Sequence, residues 1–252
     1  MYALPILLVL AAALSSNSLN TYAQYVSRQE ARAAAQQRSA KDFLYIDSKP
    51  SLRAQLRKGQ LFTERIANPN VPSAYASHWL GAAFFPGATI AKLKQVDQDY
   101  DRYSVYYAPD ILKSKLLSKD GDRFQIYYRL KKKKVLTAVF DTKHEIVYTP
   151  ISPTRLAITS RTTDVREVED AGEPGEKILA PGEGSGFLYA MNSIWRLEEA
   201  DGGVYVECEA MTLARSIPFG IGAVAKPIIE GFAVESLQAT LEAKKRAVAS
   251  IR

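Results

Sequence analysis

The sequence is poor in the residues that staple a fold or hold a metal. Of 252 residues only Cys208 is a cysteine and only two are histidine, His78 and His144. A single thiol excludes an internal disulfide and any zinc site built on paired cysteines. The histidines stand far apart, with no acidic cluster at metal-ligand spacing beside either. Each is therefore read as an exposed or capping residue, and no metal or cofactor is expected. The apolar run LPILLVLAAAL at residues 4–14 is too short for the ~20 residues of a membrane-crossing helix and has the length of a secretory signal core. Thr21 and Ala23 sit at the small-residue positions before Gln24, although no Lys or Arg precedes the run. Residues 1–23 are read as a signal peptide, with no nearby cysteine to accept a lipid. An exported chain without disulfides fits the bacterial periplasm.

What remains has the make-up of a folded domain, 47% hydrophobic and 24% charged with a net charge of +6. That modest excess of cations suits a membrane surface as a candidate partner, although a solvated basic face is the plainer reading. Residues 27–42 are rich in Ala, Gln and Arg with little apolar surface, which predicts an exposed helix or frayed leader, and 24–58 is taken as the helical N-terminal leader. A domain over 59–252 follows. GQLFTERIAN (59–68) reads as a strand, and PGATIAKLKQVDQDYDR (86–102) spaces Ile90, Leu93, Val96 and Tyr100 as a helix does. Six strands come next, over 111–119, 123–132, 134–148, 155–169, 186–199 and 203–214. KDGD, TPISP, GEPGEK and ADGG punctuate them, the pattern of an antiparallel meander. The last segment recurs apolar at Ile228, Phe232, Leu237, Leu241 and Val248, which predicts one long helix over about 226–249. An antiparallel sheet must cover its apolar face, and that helix is the natural cover.

SIWRLEEADGGVYVECEA (193–210) fixes the faces. With Asp201 and Gly202 as turn residues, Trp195 lies opposite Cys208 and Arg196 opposite Glu207. Apolar burial turns Tyr189, Met191, Trp195, Leu197, Val206 and Cys208 toward the helix and leaves the charged face to solvent. The alternative buries Arg196 and a glutamate as an ion pair at the bottom of a cavity. Phe124, Ile126, Tyr128 and Leu130 should face inward on their strand, and Leu136, Ala138 and Phe140 on the next. Arg161 reads better as exposed.

This order of strand, helical segment, six-strand meander and long closing helix resembles the helix-grip fold of the START-like superfamily. The superfamily includes lipid-transfer domains, polyketide cyclase-like and coenzyme Q-binding proteins. The resemblance covers about residues 59–249. It is carried by AKLKQVDQDYDRYSVYYAPDILKSKLLSKDGDRFQIYYRL, with its helix ending in Asp and Tyr, and by the closing hairpin with its Pro- and Gly-containing loop and grip helix. It implies an α+β fold in which a curved antiparallel sheet of about seven strands wraps a long C-terminal helix, with a cavity between them for an apolar ligand.

On that reading Phe124, Tyr128, Phe140, Tyr189, Met191, Trp195, Phe219 and Phe232 line the cavity, and Arg161, Arg196, Glu207 and Glu209 are the candidate polar anchors. The function that follows is binding or transport of a hydrophobic small molecule, lipid or quinone-like, by an exported protein. A cyclase or aromatase-like enzyme using internal Arg or Glu is the alternative, and a non-catalytic interaction domain the third; catalysis is the weaker reading. An exposed apolar patch at Phe84 and Phe85 would favour the interaction domain. The loop at 216–224 is a candidate lid. GEGSGF (182–187) matches neither a phosphate loop nor a nucleophile elbow. KKKK (131–134) reads as charge that guards a sheet edge rather than a headgroup site. The tyrosines show no RNA-binding arrangement, so no nucleic-acid partner is expected.

Overall fold

The computed structural model describes residues 14–39, 41–133, 137–215 and 222–251, the side chains of 222–232 excepted. The domain is α+β. Its antiparallel sheet has the strand order β1-β2-β9-β8-β6-β5-β4-β3, with β7 (Lys177–Ile178) appended to β6. The strands are β1 (Phe62–Ala67), β2 (Ala74–Pro86), β3 (Ile111–Asp120), β4 (Arg123–Lys133), β5 (Thr137–Ser152), β6 (Arg155–Glu169), β8 (Ala190–Ala200) and β9 (Gly203–Arg215). The meander from β3 to β9 is the one the turn signals predict. In the β8–β9 hairpin Asp201 and Gly202 both take positive φ, and Trp195 faces Cys208 as Arg196 faces Glu207.

Two elements depart from the sequence reading. β2 is a central strand that pairs along its length with β9, yet it falls where no strand was expected. Its sequence AYASHWLGAAFFP shows no alternation because residues on both of its faces are buried. Phe84 and Phe85 are accordingly buried, so they form no exposed patch. The helix expected over 86–102 is broken into α3 (Ile90–Asp97), a 3-10 turn (Tyr100–Arg102) and α4 (Tyr103–Tyr106). The hydroxyl of Thr89 caps α3 by accepting the Lys92 N–H at 3.2 Å.

The long helix α5 (Gly222–Ser250) lies against the concave face. Gly81 on β2 makes its approach possible, since a Cβ there would stand 2.8 Å from Leu237 Cγ and 2.9 Å from Leu241 Cδ1. Beneath its C-terminal half the core is closed by Leu241, Ala243, Ala247, Val248, Leu156, Leu197, Val204, Val206 and a tyrosine group.

The opposite, convex face is covered too, by the segment read as a frayed leader. Helix α1 (Ser16–Gln37) is capped by Ser15, whose side chain accepts the Ser18 N–H, and buries Ser18, Tyr22, Val26 and Ala33 on β2, β8 and β9. Phe43, Leu44, Ile46 and helix α2 (Pro50–Arg57) cover Ala82, Phe84 and Tyr205. Among the described residues no helix is long and apolar enough to cross a membrane.

Candidate functional site

The alternation on β8 and β9 sends charged and apolar residues to opposite sides, and both sides are occupied. Arg196, Glu207 and Glu209 point to the convex face, each no more than 1% exposed. Arg196 Nη2 lies 2.7 Å from Glu209 Oε1 and 3.2 Å from Glu207 Oε2, and its Nη1 donates to Gln36 of α1 at 3.0 Å. Glu207 accepts the backbone N–H groups of Tyr45 and Ile46 at 2.8 and 3.0 Å. Glu209 Oε2 is held by Arg32 and by His78 Nε2 at 2.9 Å, and His78 Nδ1 meets the Tyr25 hydroxyl at 2.7 Å. Burial would raise the Glu209 carboxyl, but His78, Arg196 and Arg32 outweigh it and hold the group down at about 2.

This network pins α1 and residues 43–46 to the sheet, and it corrects the sequence reading in two ways. The charged face is not in solvent. Nor is its ion pair at the bottom of a cavity under α5, because it lies on the other side of the sheet. Arg161 is exposed and pairs with Glu30 of α1. None of the four candidate anchors reaches the concave face. Tyr189 joins the α1 cluster as well, lying just before β8 begins and outside its alternation. Both histidines are buried rather than exposed.

The concave face divides in two. Toward the C-terminal end of α5 it is packed shut: Phe124, Tyr128, Tyr100, Tyr103, Tyr107 and Tyr148 interlock there. Asp97 and Lys244 form a buried ion pair at 2.6 Å, with the Lys244 ammonium 4.1 Å above the Trp195 ring. Phe140 is buried on β5, and His144 beside Tyr128 is held neutral by burial, its pKa lowered to about 4.

On β2, β9 and β8 the inner face is less closed. One row across the sheet runs Trp79, Ala210, Ser193, Ser160, and the next holds Ser77, Thr212 and Met191. On β2, β9 and β8 the residues between them that point to the convex side, among them His78, Leu80, Glu209, Met211, Asn192 and Ile194, are buried. Trp79, Ala210, Thr212, Met191, Ser193, Trp195 and Ser160 keep partial exposure on the face that a helix should seal. The inner side of these strands is thus more accessible than the outer side, and its accessible set mixes indoles and a thioether with small hydroxyls, residue types that ligand pockets use. Ser193 Oγ accepts the Trp195 indole N–H at 3.0 Å, and Ser77 and Thr212 share a hydrogen at 2.8 Å.

Of the predicted lining residues, Met191 and Trp195 belong to this accessible set, whereas Phe124 and Tyr128 belong to the closed part and Phe140 is buried on β5. Phe219 and the Phe232 side chain lie outside the described residues. Trp79, Ser193 and Ser160 were missed; Trp79 hides in the unrecognised β2, and the serines carry no signal of their own. Among the described residues no three of His, Cys, Asp and Glu stand together to hold a metal.

No family model matches the chain, and no curated protein does. Solved structures do. The STAR-related lipid transfer protein from Xanthomonas axonopodis is 17% identical over 75% of this chain and 99% of its own, with a TM-score of 0.48. The Zhui aromatase/cyclase from Streptomyces is 13% identical over 70% and 96%, with a TM-score of 0.48. A START superfamily protein from Mycobacterium smegmatis is 11% identical over 76% and 99%, with a TM-score of 0.44. The strand order and the gripped helix are decisive. The fold is a helix-grip. Activity does not follow from this fold, because function belongs to the site.

Proposed function

We propose that the protein binds and carries a hydrophobic small molecule, lipid or quinone-like, in a hollow between the less closed part of the sheet and α5. One observation supports the reading: on the inner face Trp79, Ala210, Thr212, Met191, Ser193 and Trp195 remain partly accessible where the neighbouring outer residues of the same strands are buried. Burial of the ligand's apolar body supplies affinity, and the hydroxyls and indoles fix its orientation. A molecule of this class partitions into bilayers, so a membrane surface is the natural place of exchange. The apolar run at 4–14 serves as the export signal in this proposal, with the bacterial periplasm as destination. Native mass spectrometry of protein purified under mild conditions tests the binding: an apolar molecule should co-purify and be released by organic solvent. Protein that is empty in every preparation and takes up no added lipid or quinone would refute it. The cyclase reading has less support, because each of its Arg and Glu candidates lies on the convex side.

A further inference from the structure

We propose that the sheet edge at β3 is a docking surface for an anionic lipid bilayer; exchange of cargo on the reading above would take place there, but docking itself needs no cargo. Six large apolar side chains stand exposed among the described residues, and three of them gather here: Val105 at 66%, Leu112 at 41% and Leu117 at 46%. The backbone puts the two leucines there. β3 breaks register with β4 between Ile111 and Lys113 and again between Leu116 and Ser118. Ile111 and Leu116 lie opposite the inward Leu130 and Ile126, whereas Lys113 and Ser118 lie opposite the outward Arg129 and Gln125. Leu112 and Leu117 are the extra residues, so each irregularity takes one leucine out of the inner face. Bulges re-aim side chains, and an edge strand that uses two of them to expose leucine points to an apolar partner.

A further strand is a poor fit for that partner. Residues 101–107 run along the outer edge of β3, where Asp101 accepts the Leu116 N–H at 2.9 Å, Ser104 donates its N–H to Ser114 Oγ at 3.1 Å and the Tyr107 carbonyl accepts the Ile111 N–H at 3.1 Å. The edge therefore offers side chains rather than a free backbone ladder. Its surroundings are cationic. Helix α1 covers β2, β8 and β9 but not β3 to β5, and Lys113, Lys115 and Lys143 stand exposed there. On this outer face Arg129 holds Asp141 at 2.7 Å and Glu176 at 2.8 Å, and Arg123 holds Glu145 at 2.6 Å. The three lysines make no ion pair among the described residues, and Lys115 and Lys143 share one row across the sheet with Tyr127 between them. Asp120, at the turn, is the one acid of β3.

Exposed leucines beside unpaired lysines select among polyanions. A bilayer with acidic headgroups gives the lysines an opposing potential and the apolar side chains a layer to enter. A nucleic acid answers the lysines alone: Tyr127, the ring on their row, is half-buried and ties its hydroxyl to Asp141 at 2.6 Å, so it is not presented for base stacking.

A polarity-sensitive nitrobenzoxadiazole label on the full chain tests this, placed by Val105→Cys, by Leu117→Cys or, as reference, by Phe187→Cys. Phe187 is 50% exposed next to Gly186, which is bonded to Arg215 of β9, far across the sheet from β3. Cys208 is 2% exposed and does not compete for the label. On adding vesicles of phosphatidylglycerol and phosphatidylcholine in equal parts, the labels at 105 and 117 should brighten several-fold and shift to the blue while the label at 187 stays unchanged. Phosphatidylcholine alone should move none of them. The label reports its own surroundings, so attachment of the chain elsewhere does not imitate docking at β3. In the Leu117→Cys chain, Lys115→Gln with Lys143→Gln should raise the vesicle concentration at half response about thirtyfold, from about fivefold per lysine at such a surface. All these side chains but that of Cys208 are exposed, and unchanged melting temperatures confirm the fold of each variant. Labels at 105 and 117 that stay silent in folded protein, or a label at 187 that responds as strongly, would overturn the proposal. So would silent labels that single-stranded DNA moves instead, which would give the face to nucleic acid. Docking by protein that proves empty in native mass spectrometry would refute carriage and uphold this proposal.

Discussion

A buried carboxylate and a buried imidazole set how the molecule answers acid. His144 is kept neutral inside the fold, with its pKa at about 4 against an ordinary 6.5. The folded state therefore binds fewer protons than the unfolded chain between those values, and stability falls as pH drops through that window. Glu209 acts lower. Its carboxyl titrates at about 2 rather than 4.5, so its contribution is complete above the ordinary value and disappears as pH falls toward 2. Each group accounts for roughly 3 kcal/mol on the usual conversion of about 1.4 kcal/mol per pH unit. Urea denaturation across pH should show two steps. His144→Gln should flatten the step between pH 6.5 and 4 and leave the lower one. Glu209→Gln should lower stability at neutral pH, because it leaves Arg196 and Arg32 without their shared partner, and the deficit should shrink below pH 3. An unchanged profile in either variant contradicts these assignments.

Elements show how much could be read from residues in order. The six meander strands, β1 and the closing helix were legible because each exposes one face, or changes period at a turn: alternation in RFQIYYRL and the Asp201-Gly202 turn suffice to set register. β2 was illegible because both of its faces are covered, and a strand buried on two sides loses its period. The same cause hid the role of α1. Charged positions on β8 and β9 read as solvent-facing when nothing in the sequence announces that Arg32, Gln36 and two backbone N–H groups are waiting opposite them. Two predictions belong here. Gly81→Val should destabilise the protein by about 1–3 kcal/mol, since α5 must move away from β2 to admit the side chain. A chain shortened to begin at Gln24 loses Ser18 and Tyr22, the latter buried with its hydroxyl accepting from Asn192 at 3.1 Å. It should melt about 5–10 °C below a chain that begins at Leu14, from the ~1.5–3 kcal/mol of one large side chain in a domain of this size. Equal melting would show that the first turns of α1 contribute nothing.

At the scale of the whole molecule, the chain encloses its central strands between its two ends, α1 outside and α5 inside. The bond between Arg32 and Glu209 spans 177 positions, and that between Tyr22 and Asn192 spans 170. Helix α1, made early in synthesis, has no complete docking site until the last two strands exist. Loops of that length close late, so the docking of α1 should follow the rate-limiting step of folding rather than form part of it. Tyr22→Ala should then accelerate unfolding several-fold and leave the refolding rate nearly unchanged in stopped-flow chevrons. This order leaves α1 undocked and its contacts unmade while most of the domain is being synthesised, with the structure locking only when its final hairpin arrives.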